Sequence, residues 1–450
     1  MGRIDRATFQ ARIDAMVGAL RDEINSGALQ PGQLLPSEVE LSARFELSRN
    51  SIRGALELLA AEELVRKVPN VGHVVIAELR DKVKLKLGLY KSVMRDAAML
   101  QLLEAYKKLK PEVEVQTIVL PAEIDTETVQ SYMTSGMVDA ISLPYLDFGL
   151  LQSDGVLGTL LEPLPPVPGT YPFLEEVYRE GEALWLRPFL FSPVVLCYNR
   201  RHFQQAKLDE PDSGWSWEQL MRAACELRSE ERYGFYFYLL SEHRWSVLLL
   251  QQGIRFKQGA ALVETEGIQQ ALAFTRQLLQ PQQGMPLVLL EGENDAELLF
   301  KQQKASMIMT TYFNLNGLQD CDFPFDVAPI PTSGAFKTLL VNIGVGLNRH
   351  SHHKDEARDF IDFLTGPVGQ QLIANDTFSL PALKPAAEGR SAGHASGISR
   401  FAMYREIVPT FRYYTELGLT PRQFLKMRGD LKLYWAGLES MEQVTAKIVH

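Results

Sequence analysis

The chain has 450 residues, 46% of them hydrophobic and 22% charged, with a formal net charge of −9. That length admits roughly two to four domains, and the ordinary globular balance excludes a disordered, collagenous or coiled-coil molecule. The acidic total gives no global attraction to nucleic acid, so any DNA binding must come from a local patch.

No apolar run approaches the roughly 20 residues of a membrane helix; the longest, such as Leu184–Leu190 and Val194–Cys197, are short and interrupted. Residues 1–12 are charged and lack an apolar segment of the kind a secretory leader carries, so no signal peptide and a cytoplasmic location are expected. Cys197, Cys225 and Cys321 are odd in number and far apart. They argue against a disulfide framework or a zinc site and suit a reducing compartment.

Residues 1–79 read as three helices and a short hairpin, whereas residues 80–450 alternate strands and helices. The join, Glu78–Lys86, is charged and has neither Pro nor Gly, so a short ordered connection is expected. The Gly-, Ala- and Ser-rich stretch Ala386–Ser399 reads as a surface loop.

In the first helix Ile13, Met16, Val17, Leu20 and Ile24 recur at helical spacing. Ser37-Glu-Val-Glu40 fits a capping box, so a second helix starts there and runs to about Arg44. Ser48 caps a third helix, whose apolar stripe is Ile52, Ala55, Leu56 and Leu59. Its opposite face starts with Arg49, Asn50, Ser51 and Arg53. Two short helices joined by a tight turn form a helix-turn-helix pattern. Arg can fork onto guanine, Asn can pair with adenine, and Ser reaches phosphate or a base edge. Leu64–Val68 and His73–Ala77 then flank Pro69-Asn-Val-Gly72, a hairpin whose Arg66, Lys67 and His73 are expected to be able to reach a DNA backbone or minor groove. Charge alone leaves the issue open: residues 1–80 hold 10 Lys and Arg against 11 Asp and Glu.

Residues 27–75 resemble the winged-helix domain of the GntR family of bacterial transcription regulators. The matching residues are Gly27–Gly32, Leu35-Pro-Ser-Glu38, Glu40-Leu41, Phe45, Leu47-Ser-Arg49, Ile52-Arg53, Ala55-Leu56, Leu59, Glu62, Leu64-Val65 and Gly72. The resemblance implies an operator-binding regulator of double-stranded DNA. The implied DNA contacts are Ser37, Ser48, Arg49, Asn50, Ser51, Arg53, Arg66, Lys67, Gly72 and His73. Three positions depart from the family pattern. Val39 stands where Arg is usual, Asn70 replaces the first wing glycine, and Gly54 lies inside the third helix at a cost of about 1 kcal/mol against Ala.

Farther on, Val83–Leu89 alternates as a strand, and a helix follows with Leu102, Leu103, Tyr106 and Leu109 as its buried stripe. Val113–Val119, a helix at about Thr126–Met133 and Val138–Leu143 continue the alternation. This order predicts a parallel sheet with helices on its faces and ligands beyond the carboxyl ends of its strands. Ser92–Arg95 and Tyr145–Asp147 lie at such ends.

The later segments include Pro188…Tyr198-Asn199…Phe203…Trp217-Glu-Gln-Leu220, with Ser216 as a helix cap. Then come Phe300…Lys304-Ala-Ser-Met307, Pro329-Ile-Pro331, Ala357–Leu364 and Leu380-Pro381. Their order over about residues 83–445 resembles the extracellular solute-binding proteins of ABC importers, of the maltose-binding-like kind. The resemblance implies a two-lobed α/β periplasmic-binding-protein-like fold with chain crossings at Val194–Tyr198 and Asp326–Ile330. The expected fold class is therefore multidomain: a winged helix-turn-helix at 1–79 and a two-lobed solute-binding domain at 80–450.

Sugar faces stack on aromatic rings, and their hydroxyls are held by Asp, Asn and Arg. Carried over, the pattern names Tyr145, Asp147, Arg187, Phe191, Trp245, Tyr312, Asn314 and Asn342 as ligand contacts. Arg187 could instead pair with Glu182, and Asp147 could cap a helix. His352-His353 reads as a solvated turn rather than a metal site.

The chain is thus expected to be a cytoplasmic homodimeric regulator with a small-molecule, carbohydrate effector and no membrane partner. Two other functions compete. A pyridoxal-phosphate regulator needs a Schiff-base lysine, but the only Ser-x-x-Lys, Ser351–Lys354, lacks the aromatic and small-residue surroundings, so no cofactor or catalysis is expected. An importer's solute-binding component would not need residues 1–79.

Overall fold

The computed structural model describes residues 6–25, 27–69, 71–76, 82–256, 265–278, 295–332, 334–389 and 398–449. Asn70, residues 78–81 of the expected join at 78–86 and most of the Gly-, Ala- and Ser-rich stretch lie outside them. The chain divides into two compact units: residues 1–84 with 106–114, and residues 85–105 with 115–450.

The smaller unit contains α1 (Arg6–Asn25), α2 (Glu38–Phe45), α3 (Arg49–Ala61), β1 (Val65–Val68) and β2 (Gly72–Val75). Ser37 forms the expected capping box with Glu40, and Ser48 caps α3 through the Ser51 amide. The helical periodicities converge on one core of Met16, Leu20, Ile24, Leu41, Ile52, Ala55, Leu56 and Leu59. Val65 and Val75, paired across the antiparallel β1–β2 hairpin, close it. Gly72 has φ 138°, a conformation that disfavours any side chain, and this fixes the return of the hairpin.

The larger unit is built on a mixed sheet. Its main order is Tyr233–Tyr236, Ala305–Thr311, Arg187–Asn199, Thr338–Asn348, then β5 (Ala140–Pro144), β3 (Val83–Leu89) and β4 (Val113–Val119). β3 pairs parallel with β5 as expected, but Thr338–Asn348 runs antiparallel to β5, so the sheet is not uniformly parallel. The third expected strand begins two residues late, at Ala140. The stripe of the Met99–Leu109 helix is shorter than its periodicity suggested: Leu102 and Tyr106 are buried, Leu103 is half-buried, and Leu109 is 59% exposed.

Arg187–Asn199 organises the whole unit, and all thirteen of its residues are buried. Its first part pairs with Leu340–Val345, and Val194–Tyr198 pairs with Met307–Thr311. Phe325–Ala328 lies along its end. One continuous strand therefore serves both halves of the fold, with the change of partner at Pro193 and Val194. On one side the helix Trp217–Leu227, capped by Ser216 and Gln219, lies so close to Tyr233–Tyr236 that a Cβ on Gly234 would sit 1.8 Å from the Ala224 carbonyl oxygen. Gly234→Ala is expected to cost about 1–3 kcal/mol by forcing helix and strand apart. A chemical denaturation curve for the larger unit checks this.

Candidate functional site

Two separate sites take shape, one in each unit. In the smaller unit α3 buries Ile52, Ala55, Leu56 and Leu59 and leaves Arg49, Asn50 and Arg53 exposed on the other side. Ser51 is half-buried, its hydroxyl 2.7 Å from that of Ser48. Ser37 and Ser48 are therefore engaged in caps. In the wing Arg66 and Lys67 are exposed and His73 is half-buried.

Glu38, which the sequence placed only within a motif, lies among these cations. Both of its carboxylate oxygens accept from Arg53 Nε at 3.0 Å. Its carboxyl is held below the usual range, first by the Arg53 hydrogen bond, with the charges of His73 and Lys67 adding to the effect. Burial and neighbouring Lys67 push the His73 imidazole down, and Glu38 opposes them.

In the larger unit, polar groups gather beyond the carboxyl ends of strands, where open α/β sheets hold ligands. Tyr90 follows β3 and Asp147 follows β5; the Tyr90 hydroxyl donates to Asp147 Oδ2 at 2.5 Å. Burial raises the Asp147 carboxyl to about 7, the Tyr90 bond opposes this, and the charge of Glu242 adds to it. Beyond Ala305–Thr311 stands Asn314, half-buried, whose side chain acts to lower the nearby Glu297 carboxyl. Glu297 is itself buried, accepts from the Thr310 hydroxyl and has the Arg244 charge beside it. Its Oε2 has no hydrogen-bond partner among the described residues. Arg428 pairs with Glu123 at 2.6 Å and approaches Glu242 at 3.8 Å.

The expected ligand contacts divide into two groups. Tyr145, half-buried, has its ring 4.8 Å from that of Tyr413, 5.3 Å from Tyr414 and 6.1 Å from Tyr178. Asn342 joins this group: its Nδ2 donates to the Leu174 carbonyl and the Tyr413 hydroxyl, and Tyr178 donates to its own carbonyl. Tyr145, Asp147 and Asn314 thus stand at strand ends, with Asn342 buried behind Tyr145.

Arg187, Phe191, Tyr312 and Trp245 are enclosed by the protein itself. Arg187 pairs with Asp362 rather than Glu182, and its Nε donates to the Pro165 carbonyl. Phe191 packs edge-on against Tyr171 and Tyr404. Tyr312 donates to the Phe401 carbonyl at 2.9 Å and shares the Tyr404 ring with Phe191. Trp245 lies 5.2 Å from Phe424 and 6.4 Å from Trp435. Its Nε1 has no hydrogen-bond partner among the described residues. Phe191 and Tyr312 share one hydrophobic cluster, Trp245 belongs to another, and Arg187 is held by its ion pair.

Tyr90, Glu242, Arg244 and Glu297 stand beside these candidate residues and were not singled out in the sequence. Only the position of Tyr90 directly after a strand carried a signal. An Asp147→Asn variant tests the cost of the buried carboxylate. Because the native carboxyl is raised above its unfolded value, the native state binds more protons between about pH 4 and about pH 7. Asp147 therefore subtracts stability as pH rises through that window. The variant is expected to gain on the wild type from pH 4 to 7 and to hold a constant difference above, as read from melting temperatures across pH.

Comparison with known proteins assigns a family to each of two regions of the chain. Residues 91–371 match the bacterial extracellular solute-binding protein family, and residues 13–75 match the gntR family of bacterial regulatory proteins. The chain belongs to the solute-binding family and carries a gntR-type helix-turn-helix domain ahead of it. A binding protein of Brucella abortus (strain 2308) is 26% identical over 232 residues, 48% of this chain and 54% of the relative. The chain thus spans about half the length of the curated relatives it matches. The fold is shared with a Listeria monocytogenes ABC substrate-binding protein in complex with cycloalternan (TM-score 0.70, 15% identity, covering 82% of this chain and 97% of that one). It is also shared with T. maritima MalE3 bound to maltose (TM-score 0.69, 16% identity, covering 82% and 98%). Among the described residues no helix is long and apolar enough to cross a membrane.

Proposed function

We propose that this chain is a transcription regulator that binds operator DNA through its smaller unit and senses a sugar or oligosaccharide in the cleft of its larger one. One observation carries the reading. A recognition helix presenting Arg49, Asn50 and Arg53 is joined in a single chain to a solute-binding fold with buried polar groups at its strand ends.

Tyr145 offers a ring for stacking on a sugar face. Asp147 and Asn314 offer acceptors and donors for hydroxyls, and Glu297 Oε2 supplies an acceptor without a protein partner among the described residues. Neighbours of the same fold hold cycloalternan and maltose, which supports a carbohydrate effector. The protein acts in the cytoplasm as a homodimer on a two-fold operator, since half-sites mirror protein symmetry. The effector changes DNA affinity only so far as it binds the DNA-competent and DNA-incompetent states differently.

The test uses the full-length protein. A melting-temperature screen against mono- and oligosaccharides identifies the effector, and gel shifts with a duplex selected from a random library follow with and without it. A sugar that raises the melting temperature and shifts duplex affinity is the expected result. Binding of sugars with no effect on DNA affinity overturns the coupling.

A further inference from the structure

We infer that Glu38 is a positioning residue that converts general attraction for DNA into sequence discrimination. The inference rests on the DNA-binding reading above and extends it to a residue of opposite charge.

Two observations on the same carboxylate carry it. The first is geometric: both Glu38 oxygens accept from a single nitrogen of Arg53, Nε, at 3.0 Å. The terminal nitrogens Nη1 and Nη2 receive no hydrogen-bond partner from the described residues, and the Arg53 side chain is 58% exposed. A guanidinium gripped at Nε loses torsional freedom while keeping the pair of donors that fits guanine O6 and N7. The second is electrostatic: Lys67 and His73, both from the wing, act on the same carboxyl. Glu38 at the start of α2 is therefore the common counter-charge of the recognition helix and the hairpin.

A negative charge on a DNA-facing surface has two effects of opposite sign. It repels phosphate and offsets nearby cations, which weakens binding to any duplex. It also holds Arg53 ready for one base edge, which strengthens binding to the right duplex. Val39, exposed beside Glu38, supplies no cation to compensate. The net outcome is lower affinity for random DNA and a larger gap between matched and unmatched sites.

The experiment compares full-length wild type, Glu38→Gln, Arg53→Ala and the double variant at one salt concentration. The probes are a duplex selected by the wild type from a random library and a scrambled duplex of equal length. Glu38→Gln is expected to bind the scrambled duplex about 2- to 3-fold more tightly, with a steeper salt dependence. It is expected to bind the selected duplex about 10-fold more weakly. In the Arg53→Ala background the same substitution should no longer reduce discrimination, because the group it positions is gone. A merely structural role would lower both affinities together. Equal losses on both duplexes, or an unchanged ratio, overturn the inference. If the wild type selects no duplex, the DNA-binding reading beneath it fails instead.

Discussion

Trp245→Ala is expected to destabilise the larger unit by about 3–5 kcal/mol, the range for deleting a buried aromatic side chain. The ring is 1% exposed and packs against Phe424 and Trp435, so its removal leaves a cavity among side chains that cannot easily collapse. Calorimetry of the full-length protein should show the transition of the larger unit falling while that of the smaller unit stays, since the two are separately compact. A loss of less than about 1 kcal/mol together with lost sugar binding would instead place the indole in the cleft.

The second large effect is on DNA. Arg49→Ala and Arg53→Ala are each expected to cost about 1–3 kcal/mol against a selected duplex if the side chain reads a base. Neither residue contributes to the core of Ile52, Leu56 and Leu59, so the folded fraction should not change. Gel shifts at fixed salt measure the loss, with circular dichroism as the control for folding. Substituting Arg66 or Lys67 should act differently, weakening all duplexes alike and lowering the salt slope. Unchanged affinity in the folded Arg49→Ala, Arg53→Ala double variant would remove α3 from the interface.

The sequence was most legible where structure is decided locally. Ser37, Ser48 and Ser216 cap helices as read, because a cap needs only the three residues that follow it. The strands Val83–Leu89 and Val113–Val119 fall on the residues their alternation marks. Ligand contacts were harder to read. Phe191 and Tyr312 look like pocket aromatics in sequence, yet Phe191 lies in a strand buried on both faces, Tyr312 opens the short helix after another strand, and both sit in one hydrophobic cluster. Arg187 could not be assigned to Asp362, 175 positions away, from spacing. The Tyr90–Asp147 bond likewise joins residues 57 apart and exists only once β3 lies beside β5. Glu38 was visible as a motif letter, but its role depends on where α3 crosses α2.

Arg187–Asn199 also dictates the order of events at the ribosome. The smaller unit draws its core from residues 16–75, so it can close early in synthesis. Arg187–Asn199 then emerges with every residue destined for burial, but its partners Ala305–Thr311 and Thr338–Asn348 follow more than a hundred residues later. At bacterial elongation rates that is a delay of about 5–30 s during which thirteen apolar-rich residues have an unpaired edge. In the nascent chain the core of the smaller unit is therefore complete before that of the larger one exists, and the long central strand waits for its partners until the last third of the chain arrives.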